Sequence, residues 1–243
     1  MSKPFRVPSH RCVPIAALLL TVIAACGGNE PVAQAPAPPS HHDRAAPGQV
    51  TASAEIGGLN EEEVDKTFRA ALTGFQRCLD DGSKRVEFLG GSVSFFVKLD
   101  SAGRVEHAHL EKSTIGDRET EKCMLDRLRD KRWPKPVGGL HGLARKAFDF
   151  DPPNDVRKPA SWDGDRVSPV VSKLSSKLNG CKKGARGSFE ATLYVATDGS
   201  VLAAGVTPPD EAGDAAVDCL VDTLKGATWP SPGSWPAIVS FSM

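Results

Sequence analysis

Residues 91–136, GSVSFFVKLDSAGRVEHAHLEKSTIGDRETEKCMLDRLRDKRWPKP, are matched 96 positions later by residues 187–232, GSFEATLYVATDGSVLAAGVTPPDEAGDAAVDCLVDTLKGATWPSP. One constant offset superposes Gly91-Ser92 on Gly187-Ser188, Val97 on Leu193, Leu99 on Val195, Gly103 on Gly199 and Val105 on Val201. It then carries Cys123 onto Cys219, Leu128 onto Leu224, and Trp133-Pro134-x-Pro136 onto Trp229-Pro230-x-Pro232. A fixed offset that includes residues as uncommon as Cys and Trp predicts a duplicated domain.

Each copy reads as α-β-β-α-β. Upstream of the matched stretch the offset lengthens to 103, because the second copy has a shorter loop. There Val64, Phe68, Ala71, Leu72, Phe75, Cys78 and Leu79 share one helical face, and Val167, Val170, Val171, Leu174, Leu178 and Cys181 repeat it. Val93, Phe95, Val97 and Leu99 alternate as in a half-buried strand, as do Phe189, Ala191, Leu193 and Val195. Asp100-Ser101-Ala102-Gly103 and Thr197-Asp198-Gly199 are hairpin turns, with glycine supplying positive φ. Second helices are expected over 117–131 and 214–226. Asp117 is placed to cap the first of these, and Ala216, Cys219, Leu220, Thr223, Leu224 and Ala227 form the buried face of the other. Trp-Pro ends each helix, since proline disfavours a helical residue before it. Closing strands are expected near Lys146–Phe150 and Ile238–Phe241. The fold class is α+β: two tandem repeats, 59–152 and 164–243, each a small antiparallel sheet packed on two helices, joined by a linker over 153–163.

The chain has 243 residues and a mass of 25.8 kDa, enough for one or two domains. With 40% hydrophobic and 25% charged residues it is neither disordered throughout nor a polytopic membrane protein. Thirty Lys+Arg balance thirty Asp+Glu, which argues against nucleic acid as a partner.

The first 25 residues carry Lys3, Arg6 and Arg11, no acidic residue, and the apolar run 13–25. That run is too short to cross about 30 Å of hydrocarbon and reads as the core of a secretory signal. Ile23-Ala24-Ala25-Cys26 resembles the lipobox of bacterial lipoproteins. The resemblance implies cleavage before Cys26 and its acylation. With Gly27 and no Asp at the next position, it implies the outer membrane, facing the periplasm. Residues 26–58 are Pro- and Ala-rich and read as a tether of roughly 30 Å mean span. His41-His42 lies in it as solvated linker.

Four cysteines remain: Cys78, Cys123, Cys181 and Cys219. Two per copy in an exported chain read as disulfides. Of the three connectivities four cysteines allow, duplication favours Cys78–Cys123 and Cys181–Cys219. No C-x-x-C motif or zinc spacing competes with that reading.

Residues 90–136, through Gly91, Gly103, Val105, Ser113-Thr114, Gly116-Asp117 and Trp133-Pro134, together with Cys78 and Cys123, resemble TonB C-terminal-like domains. They are more closely similar to the AgmX/PglI C-terminal family of myxobacterial envelope proteins. The second copy keeps Gly187, Gly199, Val201, Gly213-Asp214, Cys181, Cys219 and Trp229-Pro230, but has Pro208-Pro209 in place of Ser-Thr. The resemblance implies non-enzymatic work: contact with partner proteins, and pairing of sheet edges with extended segments. It does not bring the uncleaved membrane helix of TonB-type proteins, so a passive adaptor is favoured over an energy transducer.

No catalytic motif appears: no G-x-S-x-G, H-E-x-x-H, P-loop or dinucleotide fingerprint. No cofactor, metal or small-molecule substrate is expected. His107, His109 and Glu111 lie in phase on one strand, but Ala203 and Gly205 replace the histidines in the second copy, so a solvated sheet face is the simpler reading. Arg127, Arg129, Lys131 and Arg132 either grip an anionic partner or complement a helix C-terminus. The expected function is a cell-envelope lipoprotein acting as a protein-interaction module, with a place in a trans-envelope motility or transport machine as its extension. Partners would dock on the closing-strand edges at Lys146, Phe148 and Phe150, and at Ile238, Val239 and Phe241. The alternatives are a metal-dependent periplasmic enzyme using His107 and His109, or a cell-wall-binding protein.

Overall fold

The computed structural model of the protein describes residues 57–243. The signal reading over 1–25, Cys26 and nearly all of the tether lie outside the described residues. The fold is α+β. The first half runs α1 (Glu61–Ser83), β1 (Gly91–Asp100), β2 (Val105–Ser113), α2 (Arg118–Arg129) and β3 (His141–Phe150). A short strand β4 (Ala160–Trp162) follows. The second half runs α3 (Ser168–Lys182), β5 (Glu190–Val195), β6 (Val201–Thr207), α4 (Val217–Lys225) and β7 (Ala237–Ser242). Both halves put their first long strand in the centre: the sheets are ordered β2-β1-β3 and β4-β7-β5-β6. Among the described residues, no helix is long and apolar enough to cross a membrane.

Local chemistry explains the boundaries. Asn60 caps α1 by accepting from the Glu63 amide at 3.0 Å, and Glu61–Glu63 suit the positive end of the helix dipole. Asp117 caps α2 and also accepts from the Thr120 hydroxyl at 2.6 Å. Gly103 and Gly199 sit at φ +78° and +84°, where a Cβ would collide with the carbonyl of Trp133 or Trp229. The tryptophans in turn donate Nε1–H to the carbonyls of Leu128 and Leu224 at 3.1 and 3.0 Å. The glycine and the Trp-Pro of each half are thus two sides of one contact.

The second helix of the second half departs from expectation. A 3-10 turn covers Glu211–Ala216, capped by Asp210, which accepts from the Gly213 amide at 2.9 Å; α4 begins only at Val217. Its buried face is Ala216, Val217, Leu220, Val221 and Leu224, with Cys219 exposed beside it. Ala216, Leu220 and Leu224 of the expected face are buried, whereas Cys219 is exposed, Thr223 and Ala227 are half-buried, and Val217 and Val221 complete the buried stripe. Cys78 bonds to Cys123 and Cys181 to Cys219, each tying the first helix of its half to the second.

Each half has its own apolar core, and one compact unit contains both. Tyr194 and Ala203 of the second half belong to the first half's core; Tyr194 lies 5.6 Å from Phe88 and donates to the Gly90 carbonyl at 3.4 Å. Gly116 lies on Thr192 and Gly205 on Glu121, so backbones meet where side chains are absent. Arg118 pairs with Asp218 across the seam at 2.7 Å. The segment 153–163, expected as a linker, is partly structural: β4 pairs in parallel with β7, and the Lys158 carbonyl accepts from Trp235 Nε1 at 3.0 Å.

Candidate partner-binding edge

β3 is the outer strand of its sheet. On β1, the Ser92 amide donates to the Thr114 hydroxyl oxygen at 2.9 Å and the Ser92 carbonyl accepts from the Thr114 amide at 2.8 Å, so Ser92 faces β2. Val93, one residue on, then faces β3, where it is paired with Phe148. By the same alternation Lys146 and Phe148 turn their backbone groups to β1, while Arg145, Ala147 and Asp149 turn theirs outward.

Side chains alternate in the opposite sense from exposure. Lys146, Phe148 and Phe150 are half-buried, whereas Arg145, Ala147 and Asp149 are exposed. Phe148 packs on Phe75, Phe68 and Phe95 at ring separations of 5.7, 6.0 and 6.1 Å, and Phe150 lies 6.4 Å from Phe75. These two phenylalanines are therefore core residues whose outer margins reach the edge. Lys146 Nζ donates to Asp65 of α1 at 2.9 Å, and that ammonium holds the Asp65 carboxyl below its usual range. Arg145 binds Glu111 at 2.7 Å and covers the Phe96 ring.

Two grooves run between α1 and β3. One, of about 440 Å³, is lined by Leu59, Asp65, Leu143 and Lys146; the other, of about 340 Å³, by Leu79, Asp80, Phe150 and Asp151. The start of β3 is occupied by the chain itself, through Gly57 N–H to the His141 carbonyl at 2.6 Å. Among the described residues, nothing pairs with the stretch around Arg145–Asp149. Its charges are also the ordinary device by which an edge discourages indiscriminate pairing, so an extended segment must match them to bind.

The second expected edge is closed over its first half. β4 covers Ile238 and Val239 by parallel pairing of Ser161 with Ile238 and Trp162 with Val239. Phe241 lies beyond β4, 6.0 Å from Trp229, with Gly164 against its Cβ. Ile238 instead packs on the first half's core. The reason is local: the segment leading into α3 must run past β7, and its backbone groups are satisfied there.

His107 and His109 are not on a solvated face. His109 is 5% exposed, its ring 4.9 Å from Phe96 and 5.1 Å from His107 and tilted to both. His107 Nδ1 lies 3.9 Å from Glu211 of the second half. Burial, then the neighbouring His107, lower the His109 pKa. Glu111 is taken by Arg145. Among the described residues, no group of three or more His, Cys, Asp or Glu side chains is arranged to hold a metal ion. Arg129 is used within the fold, donating to the Ala108 carbonyl at 2.9 Å. Sequence reasoning missed Glu121, which is buried in the seam; its glutamate sits on the inner face of α2, and that phase was the available signal. Comparison with protein-family models, curated proteins and solved structures finds no match.

Proposed function

We propose that the protein is a lipid-anchored envelope adaptor, presenting a TonB-C-like unit whose β3 edge captures an extended segment of a partner protein. One observation carries this reading: Arg145, Ala147 and Asp149 direct backbone groups outward along β3 that find no partner among the described residues, while Ala237–Val239 of β7 are covered by β4. Unpaired donors and acceptors beside a groove are what strand addition uses. The signal-like leader and the Cys26 lipobox support the envelope address. Two acyl signals or more anchor stably where one is marginal.

Two results test it. Ala147→Pro removes an outward N–H without touching the β1 ladder. Crosslinking in the native membrane, read by mass spectrometry, is expected to recover a discrete envelope protein with the parent chain and to lose it with Ala147→Pro. Thermal unfolding should stay unchanged. Undiminished capture by the variant refutes the edge model. Mass spectrometry of the membrane-extracted parent chain is expected to find Cys26 as an acylated N-terminus, and Cys26→Ala to lack the modification; an unmodified Cys26 in the parent rejects the lipid anchor.

A further inference from the structure

The seam between the halves contains a buried carboxylic acid. Glu121 is 1% exposed and lies directly on β6: a Cβ built on Gly205 would fall 2.5 and 2.8 Å from its two carboxylate oxygens. Oε1 accepts from the Ser113 hydroxyl at 2.6 Å, and Oε2 has no hydrogen-bond partner among the described residues. An ionised carboxylate in that position leaves charge unsolvated against a strand that offers it no donor, whereas the protonated acid is tolerated.

The Ser113 hydroxyl, the Arg118 charge and the Gly116 amide favour the ionised form but offset burial only in part. Arg118, at the start of the same helix, is drawn to Asp218 of α4, and Asp117 is a second carboxylate, itself paired with Arg85 at 2.5 Å. From β2 comes the uncharged Ser113, and from the facing strands β5 and β6 come Thr192, Tyr194 and Gly205. Burial keeps the Tyr194 hydroxyl protonated. The remaining titratable groups of the seam are His107 and His109, near Glu211 and Asp214. Burial accordingly pushes Glu121 up to about 7.

We propose that this seam is a proton-dependent contact: protonated Glu121 lets α2 and β6 stay packed, and loss of the proton loosens one half from the other. The inference is independent of what binds at β3. Glu121 titrates at 4.5 when solvated and at about 7 when packed. The packed state therefore holds the extra proton between those values. Its advantage is full below 4.5, falls as pH rises, and is gone above about 7. His109 has the opposite sign, because its depressed pKa withdraws stability as pH falls. The two contributions are therefore separable.

Hydrogen exchange of the full chain between pH 5 and 8, corrected for intrinsic rates, tests this. Protection of residues 115–125 and 201–207 is expected to fall by one to two orders of magnitude, while β1 stays protected. In Glu121→Gln, and in the volume-matched Glu121→Met, the same segments should show a flat profile or one rising with pH. A flat parent profile overturns the proposal, and so does the parent's decline persisting in either variant.

Discussion

Replacing Phe75 with alanine is expected to lower the free energy of unfolding by about 3–5 kcal/mol. Phe75 is 0% exposed, and its ring meets Phe95 at 5.1 Å, Phe148 at 5.7 Å and Phe150 at 6.4 Å. Truncation removes the transfer free energy of a benzyl group. It also leaves a cavity walled by three other rings on strands that cannot collapse without breaking the β1 ladder. Urea unfolding followed by far-UV circular dichroism measures it, with Leu72→Ala as the comparison. Leu72 lies on the same helix but is 37% exposed, so its truncation should cost under about 1 kcal/mol. A Phe75→Ala cost as small as that of Leu72→Ala would mean the aromatic cluster is not packed as described. Because Phe148 and Phe150 lean on Phe75, the variant should also weaken partner capture at β3 without altering the edge itself.

The second large effect is the loss of Cys78–Cys123. The bond closes a segment of 45 residues, and the chain-entropy model assigns it about 4 kcal/mol. Cys181–Cys219 closes 38 residues, and the logarithm makes its contribution nearly the same. The double variant Cys78→Ala/Cys123→Ala should therefore unfold at markedly lower urea with both helices still formed in the native state. A loss below about 1 kcal/mol would show that packing of α1 on α2 already does the work. The two bonds differ in access rather than in loop size. Cys219 is exposed, while Cys78 and Cys181 are buried and Cys123 is half-buried. Mild reductant followed by alkylation should accordingly label Cys181 and Cys219 first.

Much of the architecture was legible because it rests on periodicity and on residues with narrow conformational roles. The apolar stripe from Phe68 to Leu79, the alternation from Val93 to Leu99, the glycines at 103 and 199 and the Trp-Pro stops all act within a few residues of themselves. Cysteine pairing followed from having two in each half, one on each helix. The helix expected from residue 214 begins only at Val217, because the residues before it form a 3-10 turn capped by Asp210. Cys219, expected on the buried face, is exposed.

The candidate site divides along the same line. That Lys146, Phe148 and Phe150 belong to a closing strand was readable from alternation, and the structure puts that strand at an edge. That Ile238 and Val239 are covered was not readable, since three residues, Ala160–Trp162, carry too little pattern to be called a strand by themselves. His107 and His109 looked solvated because a strand's outward face is exposed unless something packs on it. Nothing in their own neighbourhood announces the second half.

By itself, then, the sequence determined the long helices and strands, their order in each half and the positive-φ turns, because these depend on short-range sterics and hydrogen bonding, and the duplication determined the cysteine partners. Tertiary structure alone decided which edge stays open, that Tyr194 leaves its own half to join the other's core, and that Glu121 is pressed on Gly205. Those outcomes depend on how two surfaces far apart along the chain fit one another. Burial, and with it the protonation of Glu121, is a property of that fit rather than of any one residue.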